Sequence, residues 1–162
     1  AQKIAIEFNK RGPPKKVAFV DAFLMKCKER EGEPILAVEP FLHGKYTKHT
    51  NNYGFVSKED RNTPQAFSHF SYCWSQGQTL VCDIQGVDDF YTDPQIHSRD
   101  GKGFGHGNLG SQGMLKFFET HHCNAICTYM HLPPNKPKEV DLGTFIPNKP
   151  VASSAVLPRK VK

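Results

Sequence analysis

The chain has 162 residues, 38% of them apolar and 23% charged, with a formal charge of +5, which suits one globular domain large enough to bury a core. No apolar run approaches the roughly 20 residues of a bilayer crossing and the N-terminus carries none of the marks of a signal peptide, so a cytoplasmic protein is expected. The basic residues gather at Lys15 and Lys16 and in a tail from Lys136 to Lys162, while the acids fill the middle; solvated termini account for this better than a nucleic-acid or membrane partner.

In chain order, AQKIAIEFNKR sets Ile4 and Phe8 four apart, as on an amphipathic helix, and Gly12, Pro13 and Pro14 end it. Val17 to Cys27 is rich in β-favouring residues and predicts one strand, KEREGEP a polar turn, and Ile35 to Phe41 a second strand. Gly44 to Asn62 is polar and reads as loop. Thr63 before Pro64 suggests a helix cap, after which Ala66, Phe67, Phe70 and Trp74 follow helical spacing. Gln76 to Gln78 is a turn, and Thr79 to Ile84 a buried strand carrying Cys82 as a small hydrophobe. Gln85 to Gly110 lacks periodicity and is expected to be a long functional loop. Helix returns near Ser111 and runs, with a break, to Leu132; from Pro133 a linker or weakly ordered tail follows.

Five cysteines, an odd set with only Cys123 and Cys127 close together, argue against a disulfide framework. His121, Cys123 and Cys127 form H-x-C-x3-C, a pattern that suits zinc. A helix would place both sulfurs on one face but turn His121 about 200° away, so the chain has to break near that residue; His122 is as eligible by spacing. A fourth ligand has to come from elsewhere. His69, inside the Phe-rich FSHF, is the candidate, with a carbonyl-bonded core histidine as the alternative.

Within VCDIQGVDDFYTDPQIHSRDGKGFGHGNLG, Asp83 ends a buried strand, Gln85 follows two residues on, and Asp93 precedes Pro94. Two acids and an amide could converge on Mg²⁺; equally, Asp93 could cap a turn, with Asp88 and Asp89 solvated. Gly105, Gly107 and Gly110 form G-x-G-x-x-G, but after a polar loop rather than a strand, which excludes a dinucleotide fingerprint and leaves a backbone that can approach a ligand or peptide closely.

The runs TPQAFSHF, DIQGVDDFYTDPQIH, FGHGNLGSQGM and FFETHHCNAIC, together with PPKKVAF and VEPFLHGKYTKHTNNYGFV, resemble the catalytic domain of the α-kinases, the atypical protein kinases typified by elongation factor 2 kinase and myosin heavy chain kinase, the former most of all. The resemblance spans about residues 1 to 132. It implies an α+β, two-lobed fold: a partial N-lobe over 1–43, its antiparallel sheet within 17–41, a zinc-containing C-lobe over 44–132, and the tail 133–162. It implies a serine/threonine kinase using ATP, Mg²⁺ and Zn²⁺ on a protein substrate, a translation elongation factor being one candidate. By position, Asp83 matches the catalytic-loop aspartate and Gln85 and Asp93 the Mg²⁺ holders. Glu39 and Phe41 match the adenine-binding hinge through backbone groups. Gly105, Gly107, Asn108 and Gly110 match the loop for the protein substrate, and His69, His121, Cys123 and Cys127 the zinc ligands, which favours His121 over His122. The family's phosphate-gripping lysine lies on a strand upstream of the region matched by residue 1, and Lys15, Lys16, Lys45 and Lys48 do not fall at its position. An incomplete N-lobe sheet and weak ATP binding and transfer are therefore expected. An inactive, zinc-stabilised scaffold is the alternative. Asp88 also departs, standing where relatives tend to have glycine.

Overall fold

Phe8 organises the first packing layer, because the helical period that places it over Ile4 also aims it at the aromatic face of a second helix. In the computed structural model, which describes residues 1–58 and 61–135, helix α1 (Gln2–Lys10) buries Ile4, Ala5 and Phe8. The Phe8 ring meets Phe67 and Phe70 of α2 (Asn62–Trp74) edge-on at 5.4 Å each. Asn9 clips α1 to the next segment, its side chain donating to the Val17 carbonyl at 2.8 Å and accepting from the Val17 N–H at 2.9 Å.

The strand expected from Val17 to Cys27 divides in two. Strand β1 (Ala18–Phe19) runs parallel to β7 (Phe90–Thr92), while β2 (Phe23–Lys26) turns away and pairs antiparallel with β3 (Ile35–Val38), Phe23 opposite Val38. Asp21 and Ala22 interrupt the apolar run at the point of division, so the two halves join different sheets. The antiparallel sheet expected within 17–41 is present as the β2–β3 hairpin alone; β1 and α1 instead pack with elements that follow Gly44. Phe23, Leu24, Met25 and Ile35 on the hairpin are exposed.

Two segments read as loop contain strands. β4 (Tyr46–Lys48) lies in the polar stretch after Gly44, and β6 (Gln85–Val87), β7 and β8 (Gln95–Ser98) lie in the stretch after Ile84. β1, β7, β6 and β4 form one sheet in that order, and β5 (Thr79–Cys82) pairs antiparallel with β8. At three or four residues each, broken by Asp88–Asp89 and Asp93–Pro94, these strands are too short to display a two-residue period. Gly86 permits the tight β6–β7 approach: a Cβ there would stand 2.1 Å from the Phe90 carbonyl oxygen.

Helix α2 begins one residue before the expected cap. Arg61 occupies the cap position and Thr63 is buried within the first turn, where Pro64 is tolerated because the N–H it lacks would have no helical partner. Arg61 instead ties α2 to the β6–β7 turn, bonding the Asp88 carbonyl at 2.5 Å and the Asp89 carboxylate. Asp89 is thus paired rather than merely solvated. Helix α3 (Gly110–Thr120) ends at an extended His121, and α4 (Ala125–Tyr129) follows the break. The core joins Phe8, Phe67, Phe70, Val81, Ile84, Tyr91 and Ile126; Leu80, Cys82, Met114, Phe117 and Phe118 form a second cluster. Among the described residues no helix is long and apolar enough to cross a membrane. The expected tail lies outside the described residues from position 136.

Candidate active site and metal centre

Burial of Leu80, Val81 and Cys82 pins β5, and Asp83 leaves its end with φ +56°; Asp93 leaves β7 with φ +48°. Left-handed backbone at two non-glycine residues concentrates at functional sites. The Thr50 hydroxyl accepts the Ile84 N–H at 2.9 Å and holds the first turn. Lys48 stands opposite Gln85 in the β4–β6 register. Its ammonium lies 2.7 Å from Asp83 Oδ1 and donates to Gln85 Oε1 at 3.5 Å, while Gln85 Nε2 donates to the Asp93 carbonyl at 3.3 Å. Asp83, Gln85 and Asp93 are therefore brought together, with a lysine that sequence reasoning had set aside. Partial burial, then the charges of Asp93, Asp83 and Glu39, push the Tyr46 phenol above its ordinary value. Glu39 joins the group through its own carboxylate, which accepts from the Thr92 hydroxyl. Phe41 is 81% exposed, with the His43 ring edge-on to it at 4.9 Å.

The glycine segment is organised by Asn108. Its Oδ1 accepts the N–H groups of Ser98 and Gly110, both at 3.0 Å, and its Nδ2 donates to Ser98 Oγ at 2.8 Å and to the Gly103 carbonyl at 3.0 Å. Asn52 Nδ2 donates to the Gly107 carbonyl at 3.0 Å. His97, which sequence reasoning missed, completes the network: Nδ1 accepts the Leu109 N–H and Nε2 donates to the Asn52 carbonyl, each at 3.0 Å. Gly113 is glycine because the imidazole fills the space, a Cβ there lying 2.4 Å from Nε2. Burial pushes His97 down to about 4, so at neutral pH one nitrogen accepts and the other donates.

The third cluster lies where α2, α3 and α4 meet. His69, His121, Cys123 and Cys127 present ligand atoms within 4.8 Å of one another. His121 Nε2 is 3.2 Å from His69 Nδ1, Cys123 Sγ is 3.8 Å from His69 Nδ1, and Cys127 Sγ is 3.8 Å from His121 Nε2. Bonds of about 2.0 Å to nitrogen and 2.3 Å to sulfur give tetrahedron edges of roughly 3.3 Å between nitrogens and 3.5 Å between nitrogen and sulfur. The separations are close to those edges. Burial first pushes His69 down to about 4, His121 to about 3 and the Cys127 thiol up to about 11: the histidines are already in their ligating form, and a cation would draw the proton from sulfur. His122 is exposed. The expectation that Cys123 and Cys127 share a helical face does not hold, because α4 starts at Ala125 and Asn124 caps it by accepting the N–H groups of Ile126 and Cys127. Cys123 reaches the cluster from the loop.

The alpha-kinase family model matches residues 1–127. The chain is 54% identical over 160 residues to alpha-protein kinase 1 of Dictyostelium discoideum, covering 98% of this chain and 12% of the relative. It is 48% identical over 138 residues to eukaryotic elongation factor 2 kinase of Rattus norvegicus, covering 83% of this chain and 19% of that protein. The solved alpha-kinase domain of myosin heavy chain kinase A in complex with ADP superposes with a TM-score of 0.79 at 48% identity, over 82% of this chain and 55% of that one. The chain thus spans less than a fifth of these two curated relatives and about half of the solved domain.

Proposed function

The chain belongs to the alpha-kinase family, and on that premise we propose that it carries the phosphoryl-transfer centre of a protein serine/threonine kinase acting in the cytoplasm. The observation that carries this reading is the assembly of Lys48, Asp83, Gln85 and Asp93 around the β4–β6–β7 sheet. Gln85 and Asp93 would hold Mg²⁺, an amide oxygen and a carboxylate being suitable hard ligands; the ion supplies charge neutralisation on ATP phosphates when bound. Asp83 orients the acceptor hydroxyl and takes its proton. Lys48 pairs with that carboxylate at 2.7 Å, and an ammonium with three donors, two engaged here, can present the third to a phosphoryl oxygen. The nucleotide assignment draws support from the relative solved with ADP and one solved with AMP-PNP.

Asn108 and His97 hold the glycine segment at the start of α3, so a protein substrate would meet a pre-set backbone rather than a loose loop. Relatives are named for myosin heavy chain and elongation factor 2; for this chain the substrate class is a protein presenting Ser or Thr, a translation elongation factor among the candidates. Zn²⁺ would be held by His69, His121, Cys123 and Cys127 in a structural role, since four ligands leave no open position.

The test uses a chain extended upstream to the length of the solved catalytic domains. Asp93→Ala should weaken Mg-ATP binding and abolish transfer together. Asp83→Ala should lower kcat by about 10²–10⁴-fold while ATP affinity stays within a few fold. Full activity in Asp83→Ala would refute the assignment, and ATP binding without transfer in the unmutated protein would favour the scaffold.

A further inference from the structure

Besides His69, helix α2 brings to the Cys/His cluster a residue that is not a ligand candidate. Gln65 lies four residues before His69, on the same helical face. Its Oε1 is 2.7 Å from His121 Nδ1, the nitrogen opposite the one that faces His69 and Cys127. Among the described residues its buried Nε2 has no partner, so the oxygen is what anchors the amide. The Phe117 ring stacks on the imidazole at 4.9 Å and 17°, which leaves rotation in the ring plane to be set by Gln65.

We infer that Gln65 is the outer partner of the metal centre: by accepting the Nδ1–H of His121 it selects the tautomer whose Nε2 lone pair points at the ion and holds the ring at the angle the tetrahedron needs. The inference rests on the zinc reading above. The physical case is that an imidazole has one proton to place. With Nδ1 protonated, Nε2 can bind metal; were the amide turned to donate from Nε2, the His121 proton would move to Nε2 and point at His69 Nδ1, closing the site to a cation. The pairing also spans helices, since α2 supplies both His69 and the residue that orients the ligand from the end of α3.

The experiment measures zinc affinity of the full chain by competition with a chelator of known strength, beginning from zinc-saturated protein. Gln65→Met, isosteric but without an acceptor, should bind zinc about 10–100-fold more weakly. Gln65→Glu, which retains an acceptor, should stay within a few fold of the unmutated chain. Equal affinity in Gln65→Met and the unmutated chain overturns the inference alone. An unmutated chain that takes up no zinc removes the metal reading and this inference with it. A second measurement needs no variant: in the zinc-loaded, ¹⁵N-labelled chain, long-range ¹H–¹⁵N spectra should show His121 protonated at Nδ1, and a proton at Nε2 would overturn the inference even if Gln65→Met fails to fold.

Discussion

His97 should make this fold acid-sensitive in a way one substitution can isolate. Its side chain is 1% exposed, is closed in by Gly113, and is held down to about 4 from an ordinary 6.5 by burial. The unfolded chain binds a proton at this residue once pH falls below 6.5, whereas the folded chain resists until about pH 4, so stability is fully present above 6.5 and declines through that window. That proton linkage corresponds to about 3 kcal/mol in all, and to about 2 kcal/mol by pH 5. His69 and His121 shift in the same direction and would mask this in a single titration. The remedy is His97→Gln, which keeps an amide donor and acceptor but cannot titrate. Urea unfolding followed through Trp74, the single tryptophan, should show the unmutated chain losing about 2 kcal/mol more than His97→Gln between pH 7.5 and pH 5, with zinc held saturating at both. Parallel curves would refute the reasoning.

Removal of zinc with a chelator should lower Tm: at free zinc 100-fold above its Kd the ion contributes about 2.7 kcal/mol, or about 5–11 °C for a domain of this size, and Cys127→Ala should melt at the lower temperature with or without zinc. A chelated chain that melts unchanged would contradict a structural role. Asp88, at the β6–β7 turn with φ +52°, should tolerate glycine within about 0.5 kcal/mol, while Asp88→Ala should lower stability by about 1 kcal/mol; urea midpoints decide it, and an alanine variant as stable as the glycine one would be the contrary result.

What the sequence disclosed depended on length of repeat. Helices α1, α2 and α3 carry enough turns for Ile4 and Phe8, or Ala66, Phe67 and Phe70, to reveal a face, although Trp74, expected on it, is exposed. Strands β4, β6 and β7 have three residues each, and no period can be read from so few. The error propagated to the site. Lys48 could not be linked to Asp83 because their proximity comes from the β4–β6 register, across 35 positions of sequence, and not from any motif. Asp83, Gln85 and Asp93 could be read as two acids and an amide able to converge, but their separate roles came only from the family resemblance. The Cys/His cluster divides the same way: H-x-C-x3-C was local and visible, whereas His69, though a candidate inside FSHF, read equally as a carbonyl-bonded core histidine until the resemblance was weighed. Gln65, His97 and Asn52 carried no signal at all, since an amide or imidazole that bonds a distant backbone or ring looks in sequence like any polar residue.

The two sites are mechanically connected through α2. Its inner face sends His69 and Gln65 to the metal centre, and further along the same helix the Ser71 hydroxyl accepts the Val81 N–H at 2.8 Å, holding β5 two residues before Asp83. β5 pairs with β8, with Leu80 opposite His97, and His97 in turn fixes Leu109 at the start of α3. Helix α3 then returns to the metal centre at His121. The path closes on itself: metal centre, α2, β5, β8, α3, metal centre. In close-packed elements a shift at one point of such a circuit is felt at the others, so an ion bound at the Cys/His cluster would bear on the placement of β5, which leads into Asp83.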